Sequence, residues 1–146
     1  MKKFILFLVF TLAVSSFANY ESDLLGRMKP VEQKSGSMLD SAQTTAEMIN
    51  AVSYASNEWD AELNKIYKLL MSSLSKDGQN SLRNAQRSWI KERDKKIAGE
   101  NSGGTIDLVN KNSIFLEETK KRTIELARIY DKLKSKIGRA SCRERV

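Results

Sequence analysis

Apolar residues recur at intervals of three and four from Met48 to Leu74, which is the spacing of one face of an α-helix. The stripe consists of Met48, Val52, Ala55, Trp59, Leu63, Ile66, Leu70 and Leu74. Immediately before it, Thr44 and Glu47 have the spacing of a capping box, in which each side chain accepts a hydrogen bond from the other residue's backbone N–H. The pattern therefore predicts a helix of about 30 residues that begins beside Thr44.

Two more amphipathic segments follow, separated by short polar breaks. Ser75–Gly78 interrupts the first stripe, and a second helix is expected from about Gln79 to Gly99. One face of that helix carries Leu82, Ala85, Gln86, Trp89, Arg93 and Ile97. A third helix is expected from Thr105 or Asp107 to about Lys136, with a buried stripe of Leu108, Phe115, Thr119, Leu126, Tyr130 and Leu133. The short connections predict an all-α fold, an antiparallel bundle of three long amphipathic helices over residues 44–136.

The chain opens with a pattern that is typical of export. Two lysines precede the apolar run Phe4–Val14, and small residues at Ser16 and Ala18 favour cleavage before Asn19. The run is too short to cross a bilayer, because a membrane-spanning helix needs roughly 20 residues. Residues 1–18 are therefore predicted to be a cleaved signal peptide. This places the mature protein in the periplasm or outside the cell, with no stable membrane span.

The next segment, Asn19–Gln43, shows no sustained apolar period. It is rich in serine, glycine, lysine and glutamate, and it contains the only proline, Pro30. This composition predicts a flexible linker, with at most a short helical turn at Leu24 and Leu25.

The C-terminal segment Ile137–Val146 has an unusual sequence, IGRASCRERV. A codon series for it resembles a common sequencing adapter, which predicts read-through; the alternative is a genuine basic tail. The single cysteine, Cys142, lies in this segment, so the predicted domain has no disulfide. Without both terminal segments the chain keeps 20 basic and 17 acidic residues instead of 25 and 18, and its net charge falls from +7 to +3. Such a mixed-charge surface does not favour nucleic-acid binding.

The residues of the predicted domain do not indicate catalysis. The domain has no histidine and no cysteine, and no nucleophile lies at a useful spacing from a base. Asp60 and Glu62 are two positions apart, so they point to different sides of a helix. Neither a metal-binding loop nor a cofactor motif is present. We therefore expect a protein that is not an enzyme and that needs neither a metal nor a cofactor.

Arg93 lies on the apolar face of the second helix, one turn from Trp89 and two turns from Gln86. A buried guanidinium needs carboxylate or carbonyl partners. The first and third helices offer candidate partners in Asp60, Asn64, Tyr67, Thr119, Arg122 and Thr123. These polar residues form either a structural network that fixes the register of the helices or part of a recognition surface.

Four segments, in their order and spacing, resemble the LprI-type family of lysozyme-inhibitor domains: NEWDAELNKIYKLL (57–70), LRNAQRSWIKERD (82–94), SGGT (102–105) and EETKKRTIEL (117–126). The resemblance spans about Thr45 to Leu133. The positions that match the polar and aromatic motif residues of the family are Asp60, Asn64, Tyr67, Gln86, Trp89, Arg93, Asp94, Thr119, Arg122 and Thr123.

The resemblance implies an exported, mostly helical protein, but the cysteines of the family pattern are missing here. No cysteine lies directly after the predicted signal peptide, so the lipid anchor of the founding member is not expected. Ile97 and Ile114 stand where many members have cysteines, and Ala51 stands at a third such position. If the family's cysteines join the second and third helices, a hydrophobic contact takes the place of that disulfide in this chain.

The function that the resemblance implies is occlusion of the cleft of a lysozyme-type muramidase. The two catalytic carboxyl groups of such an enzyme could accept hydrogen bonds from an inserted loop. The candidate inhibitory loop is Asn101, Ser102, Gly103, Gly104 and Thr105, with Lys95 and Lys96 nearby as further donors. From the residues alone, such a segment is more often only a flexible connection between helices. Two other functions stay open: an exported binding or immunity-type module with another target, and a structural envelope protein.

Overall fold

The computed structural model describes residues 19–143, and these residues form four α-helices. They are α1 (Tyr20–Ser41), α2 (Thr45–Ser73), α3 (Lys76–Gly99) and α4 (Ile106–Arg143). The described residues contain no strand, which confirms the predicted all-α class. The prediction of three helices is wrong, because α1 is a fourth. The predicted signal peptide lies outside the described residues.

α1 occupies the segment whose composition predicts a flexible linker, and that prediction is wrong. Asn19 caps the helix by accepting a hydrogen bond from the Glu21 backbone N–H at 3.0 Å. The carboxylate of Asp131, in α4, accepts from the N–H groups of Tyr20 and Glu21 at 2.9 and 3.1 Å. The buried residues of α1 are few, namely Leu24, Met28 and Ser35. Contacts with the rest of the molecule, rather than a local apolar period, therefore stabilise α1.

α2 and α4 form the centre of the bundle, with α1 packed against both and α3 attached mainly to α4. One core cluster includes residues of α2, α3 and α4: Leu63, Ile66, Leu70, Leu82 and Leu126. A second cluster lies under α1 and consists of Leu24, Met28, Trp59 and Ala127. Leu82 is the one buried residue of α3. Most of the surface of α3 is therefore left in contact with solvent.

Side chains that accept backbone hydrogen bonds determine where α2 and α3 begin. The predicted capping box of α2 is present: Thr44 Oγ1 accepts from the Glu47 N–H at 3.2 Å, and Glu47 Oε2 accepts from the Thr44 N–H at 2.9 Å. α3 begins at Lys76, slightly before the predicted start, because the Ser75 hydroxyl caps it by accepting from the Gly78 N–H at 3.4 Å. Both caps satisfy backbone donors that have no partner inside the helix.

The buried face agrees with the predicted stripe in α2 but differs from it in α4. Every predicted stripe position from Val52 to Leu70 is buried. In α4, Leu108 is 52% exposed and Val109 is buried in its place. The buried face of α4 also includes residues outside the predicted stripe, namely Arg122, Thr123 and Ala127. It is broader because α4 is covered by α1 as well as α2. Ala85 is exposed, since α3 makes little contact with α2.

Substitutions at Leu24 and Leu25 test whether α1 packs against the bundle or is a flexible linker. Leu24 is 0% exposed and Leu25 is 43% exposed. Leu24→Ala is expected to lower the free energy of unfolding by about 2–5 kcal/mol, because it leaves a cavity in the core. The neighbouring control, Leu25→Ala, is expected to change it by less than about 0.5 kcal/mol. Urea unfolding followed by circular dichroism measures both values. Equally small effects would show that α1 does not pack against the bundle.

A salt bridge between Arg27 and Glu62 joins α1 to α2. Arg27 Nη2 and Nε donate to Glu62 Oε2 and Oε1 at 2.8 and 3.2 Å. Partial burial raises the pKa of Glu62. The hydrogen bonds and charge of Arg27, with a smaller effect of Lys65, outweigh burial. The pKa of Glu62 is therefore below the ordinary value of 4.5. The folded protein therefore binds fewer protons here than the unfolded chain. The resulting stabilisation is complete above pH 4.5 and is lost as the pH falls through the lowered pKa.

Glu62→Gln is expected to lower the free energy of unfolding by roughly 0.5–1 kcal/mol at neutral pH. The difference from the unsubstituted protein should shrink as the pH falls, because a protonated Glu62 cannot form the salt bridge either. Urea unfolding from neutral pH to about pH 3 measures this trend. Glu58→Gln removes an exposed carboxylate from the same helix and serves as the control. A Glu62→Gln difference that stays constant over the whole pH range would contradict the assignment.

Candidate functional site

An open groove of about 350 Å³ lies between α2 and α3. It exists because α3 packs mainly on α4 and approaches α2 at few points. The residues that line it come in one row from each helix: Asp60, Leu63, Asn64 and Tyr67 from α2, and Arg83, Gln86, Arg87, Trp89, Ile90 and Arg93 from α3. Six of these belong to the predicted polar network, namely Asp60, Asn64, Tyr67, Gln86, Trp89 and Arg93. The structure therefore brings most of that network together along one open surface.

The sequence pattern suggests a polar partner for Arg93 from α2 or α4. Among the described residues, Arg93 has no such partner on either helix. Its Nε and Nη2 donate to Oδ1 of the adjacent Asp94 at 3.0 and 2.8 Å. Its guanidinium carbon also lies 5.0 Å from the centre of the Trp89 ring and 4.7 Å from that of Phe115, in α4. Aromatic faces attract a guanidinium electrostatically, so two rings and one neighbouring carboxylate replace the expected carboxylate from another helix.

Arg122 is the arginine that links α4 to α3 by a hydrogen bond. It lies in α4 with a side chain that is 8% exposed. Its Nε donates to Oε1 of Gln86, in α3, at 2.9 Å, and its Nη1 donates to Glu125 at 2.8 Å. Gln86 therefore has two roles, because it lines the groove and also satisfies a buried charge behind it.

Thr119 and Thr123 belong to the packing between α2 and α4 and do not line the groove. Both are 0% exposed. The Thr123 hydroxyl donates to the Thr119 carbonyl at 2.7 Å and lies 3.5 Å from the carbonyl oxygen of Trp59, in α2. Within the described part of the chain, the Thr119 hydroxyl has no hydrogen-bond partner. The predicted polar network is therefore divided between an open groove and a buried helix interface.

Arg83, Arg87 and Ile90 are groove residues that the motif pattern does not identify. They follow one another at intervals of four and three along α3, so they share a face with Gln86. The periodicity is visible in the sequence, but a row of exposed arginines on a helix is common. What makes these residues part of a groove is the separation of α3 from α2, which the sequence pattern does not reveal.

The candidate loop connects α3 to α4, and all residues from Asn101 to Thr105 are exposed. Gly103 and Gly104 have φ angles of 78° and 70°, a region that glycine adopts without strain. The base of the loop is held by polar contacts. The Ser102 hydroxyl donates to Glu100 and accepts from Asn110 Nδ2 at 2.8 Å. Ser102 is therefore engaged inside the loop, whereas the glycine tip faces solvent.

Charged residues around the loop are partly neutralised by neighbours. Lys96 Nζ lies 2.9 Å from Glu118 Oε2 in α4, and this hydrogen bond holds the pKa of Glu118 below its usual range. The hydrogen bond of Lys111 does the same for the pKa of Asp107, with a further contribution from the Ser102 N–H. Of the two lysines that the sequence suggests as donors, Lys96 is thus already paired.

The fold is a small helical bundle with an open groove between α2 and α3 and an exposed loop between α3 and α4. Among residues 19–143, no group of histidine, cysteine or acidic side chains is arranged to hold a metal ion. The family model described as "Lysozyme inhibitor LprI" matches residues 37–126, more than half of the chain, so the protein belongs to this family. No curated protein and no solved structure matches the chain. The described helices include none that is both long and apolar enough to cross a membrane.

Removal of the Gln86 side chain is expected to destabilise the protein through Arg122. Gln86→Ala leaves the buried Arg122 Nε without its acceptor, which should lower the free energy of unfolding by about 1–3 kcal/mol. Gln33→Ala, at an exposed position of α1, is the matched control and should change it by less than about 0.5 kcal/mol. Urea unfolding measures both values. If the two substitutions have the same effect, the Gln86–Arg122 hydrogen bond is not a structural link.

Proposed function

We propose that this protein is an exported inhibitor that binds a lysozyme-type muramidase and blocks its active-site cleft. The observation that supports the proposal is membership of the lysozyme inhibitor LprI family, whose match covers α2, α3, the connecting loop and the first half of α4. Export is supported by the lysine-flanked apolar segment at the N-terminus. The proposal requires no catalytic group on this chain, since binding alone excludes substrate from the cleft.

The loop from Asn101 to Thr105 is the inhibitory element in this proposal. The glycine tip, Gly103 and Gly104, presents backbone N–H groups without the obstruction of side chains. Carboxylates of a muramidase are suitable acceptors for such donors. Asn101 and Thr105 flank the tip with further polar groups. Ser102 contributes differently, because its contacts with Glu100 and Asn110 hold the base of the loop in shape.

Two exposed aliphatic side chains adjoin the loop and supply the apolar part of the proposed interface. Ile106 is 44% exposed and Leu108 is 52% exposed, at the start of α4. Apolar side chains at the centre of an interface contribute most of the binding free energy, while the surrounding polar contacts exclude water. Without residues 1–18 and 137–146 the chain has a net charge of +3, which gives no long-range attraction to a cationic enzyme. Affinity must therefore come from close contacts.

The protein from Asn19 onward is expected to inhibit cell-wall lysis by at least one member of a panel of lysozymes. Replacing the apolar contacts by Ile106→Ser with Leu108→Ser should weaken inhibition at least about tenfold, because these side chains are central to the proposed interface. A lytic assay measures the inhibition constant. Circular dichroism confirms that each variant is folded.

Leu25→Ser with Ile129→Ser is the matched control, since it replaces two aliphatic residues that are 43% and 39% exposed on other parts of the surface. Equal loss of inhibition in both double variants would contradict the role of Ile106 and Leu108 in the proposed interface. Absence of inhibition by the folded, unsubstituted protein at stoichiometric excess would reject the proposal in favour of another binding target. A mass that rises with concentration in light scattering would then favour a structural envelope protein.

A further inference from the structure

We propose that the groove between α2 and α3 is a second binding site, and that it takes an acidic peptide segment of a protein partner. The groove lies along the sides of α2 and α3, whereas the loop follows the C-terminal end of α3. Its lining residues do not include any of the loop residues from Asn101 to Thr105. The inference therefore does not depend on lysozyme inhibition.

The charge of the groove favours an anionic ligand. Arg83, Arg87 and Arg93 line it together with one carboxylate, from Asp60. Arg93 is paired with Asp94, so Arg83 and Arg87 provide the positive charge for a ligand. The Asp60 carboxylate lies on the α2 side, where one of its oxygens, Oδ2, accepts from Asn64 Nδ2 at 3.0 Å. Arginine presents several N–H groups in a planar arrangement that matches a carboxylate. Aspartate or glutamate side chains are thus well suited to the α3 side of the groove.

The hydrogen-bonding groups of the groove favour carboxylates over sugar hydroxyls. The Oε1 acceptor of Gln86 is used by Arg122, which leaves the amide N–H groups of Gln86 as donors. The Trp89 indole N–H and the Arg87 guanidinium are further donors among the lining residues. A sugar hydroxyl needs acceptors as well as donors, whereas a carboxylate only accepts. These donors lie on the α3 side of the groove, whereas the acceptors Asp60, Asn64 and Tyr67 lie on the α2 side. The α3 side is therefore better matched to carboxylates than to sugar hydroxyls.

The apolar part of the lining indicates what accompanies the acidic groups. Three apolar side chains line the groove: Leu63, which is buried, Trp89, which is half-buried, and Ile90, which is 38% exposed. This strip offers contact to an aliphatic side chain between two acidic ones. A volume of about 350 Å³ accommodates a few side chains, which suits a short segment rather than a whole domain face.

The test uses a fluorescein-labelled peptide of alternating glutamate and leucine pairs and its counterpart with lysine in place of glutamate. Fluorescence anisotropy with the protein from Asn19 onward is expected to show saturable binding of the glutamate peptide alone. Binding should weaken as salt is added, because exposed charges are screened. Arg83→Gln with Arg87→Gln should weaken it at least about tenfold, since both guanidinium partners of the carboxylates are removed.

Lys76→Gln with Lys91→Gln is the matched control: it removes the same charge from exposed positions of the same helix that do not line the groove. It should change the dissociation constant less than about twofold, which corresponds to well under 1 kcal/mol. Circular dichroism establishes that both double variants are folded; Arg83 and Arg87 are exposed, so their replacement leaves the core intact.

Three results would overturn the proposal. The first is equal weakening by the arginine and lysine double variants, which would mean that only overall charge matters. The second is equal binding of the glutamate and lysine peptides. The third is saturable binding of an acidic oligosaccharide, oligogalacturonate, together with no binding of the glutamate peptide, which would make the groove a site for anionic glycans.

Discussion

The packing of α2 against α4 is the contact on which the rest of the structure depends. These two helices provide most of the buried apolar residues, from Val52 to Leu70 in one and at Leu126 and Ala127 in the other. α1 and α3 each add only a few residues to this pair, and neither has a strong apolar stripe of its own. The centre is therefore held by close packing of buried side chains, while the outer helices are held by a small number of specific contacts.

Arginines illustrate how those specific contacts satisfy buried charge. Arg122 takes its acceptor from Gln86 and so ties α3 to the centre, whereas Arg93 lies between the rings of Trp89 and Phe115. α3 touches α2 near its N-terminal end, where Gln79 donates to the Met71 carbonyl at 2.9 Å. Further along α3, Gln86 and Arg93 make their contacts with α4 and within α3, and the groove lies beside them.

The family match covers the groove and the loop but only the end of α1. The family match begins at residue 37, so most of α1 precedes it, yet α1 covers Trp59 and Ala127 in the core. The groove and the connecting loop both lie inside the matched range. α3 borders both surfaces and has one buried residue. Binding at either surface therefore involves α3, the helix with the fewest buried side chains.

The sequence by itself determined the helical class, the position of α2, its capping box and the approximate limits of α3 and α4, because these depend on spacing between residues close in the chain. The tertiary structure decided three things. α1 is a helix because Asp131, more than 100 residues away, accepts its first N–H groups. Arg93 gains the ring of Phe115 in α4 in addition to Trp89 and Asp94 of its own helix, and motif residues form a groove because α3 stands away from α2. Each depends on partners that only folding brings together, and a local pattern contains no information about them.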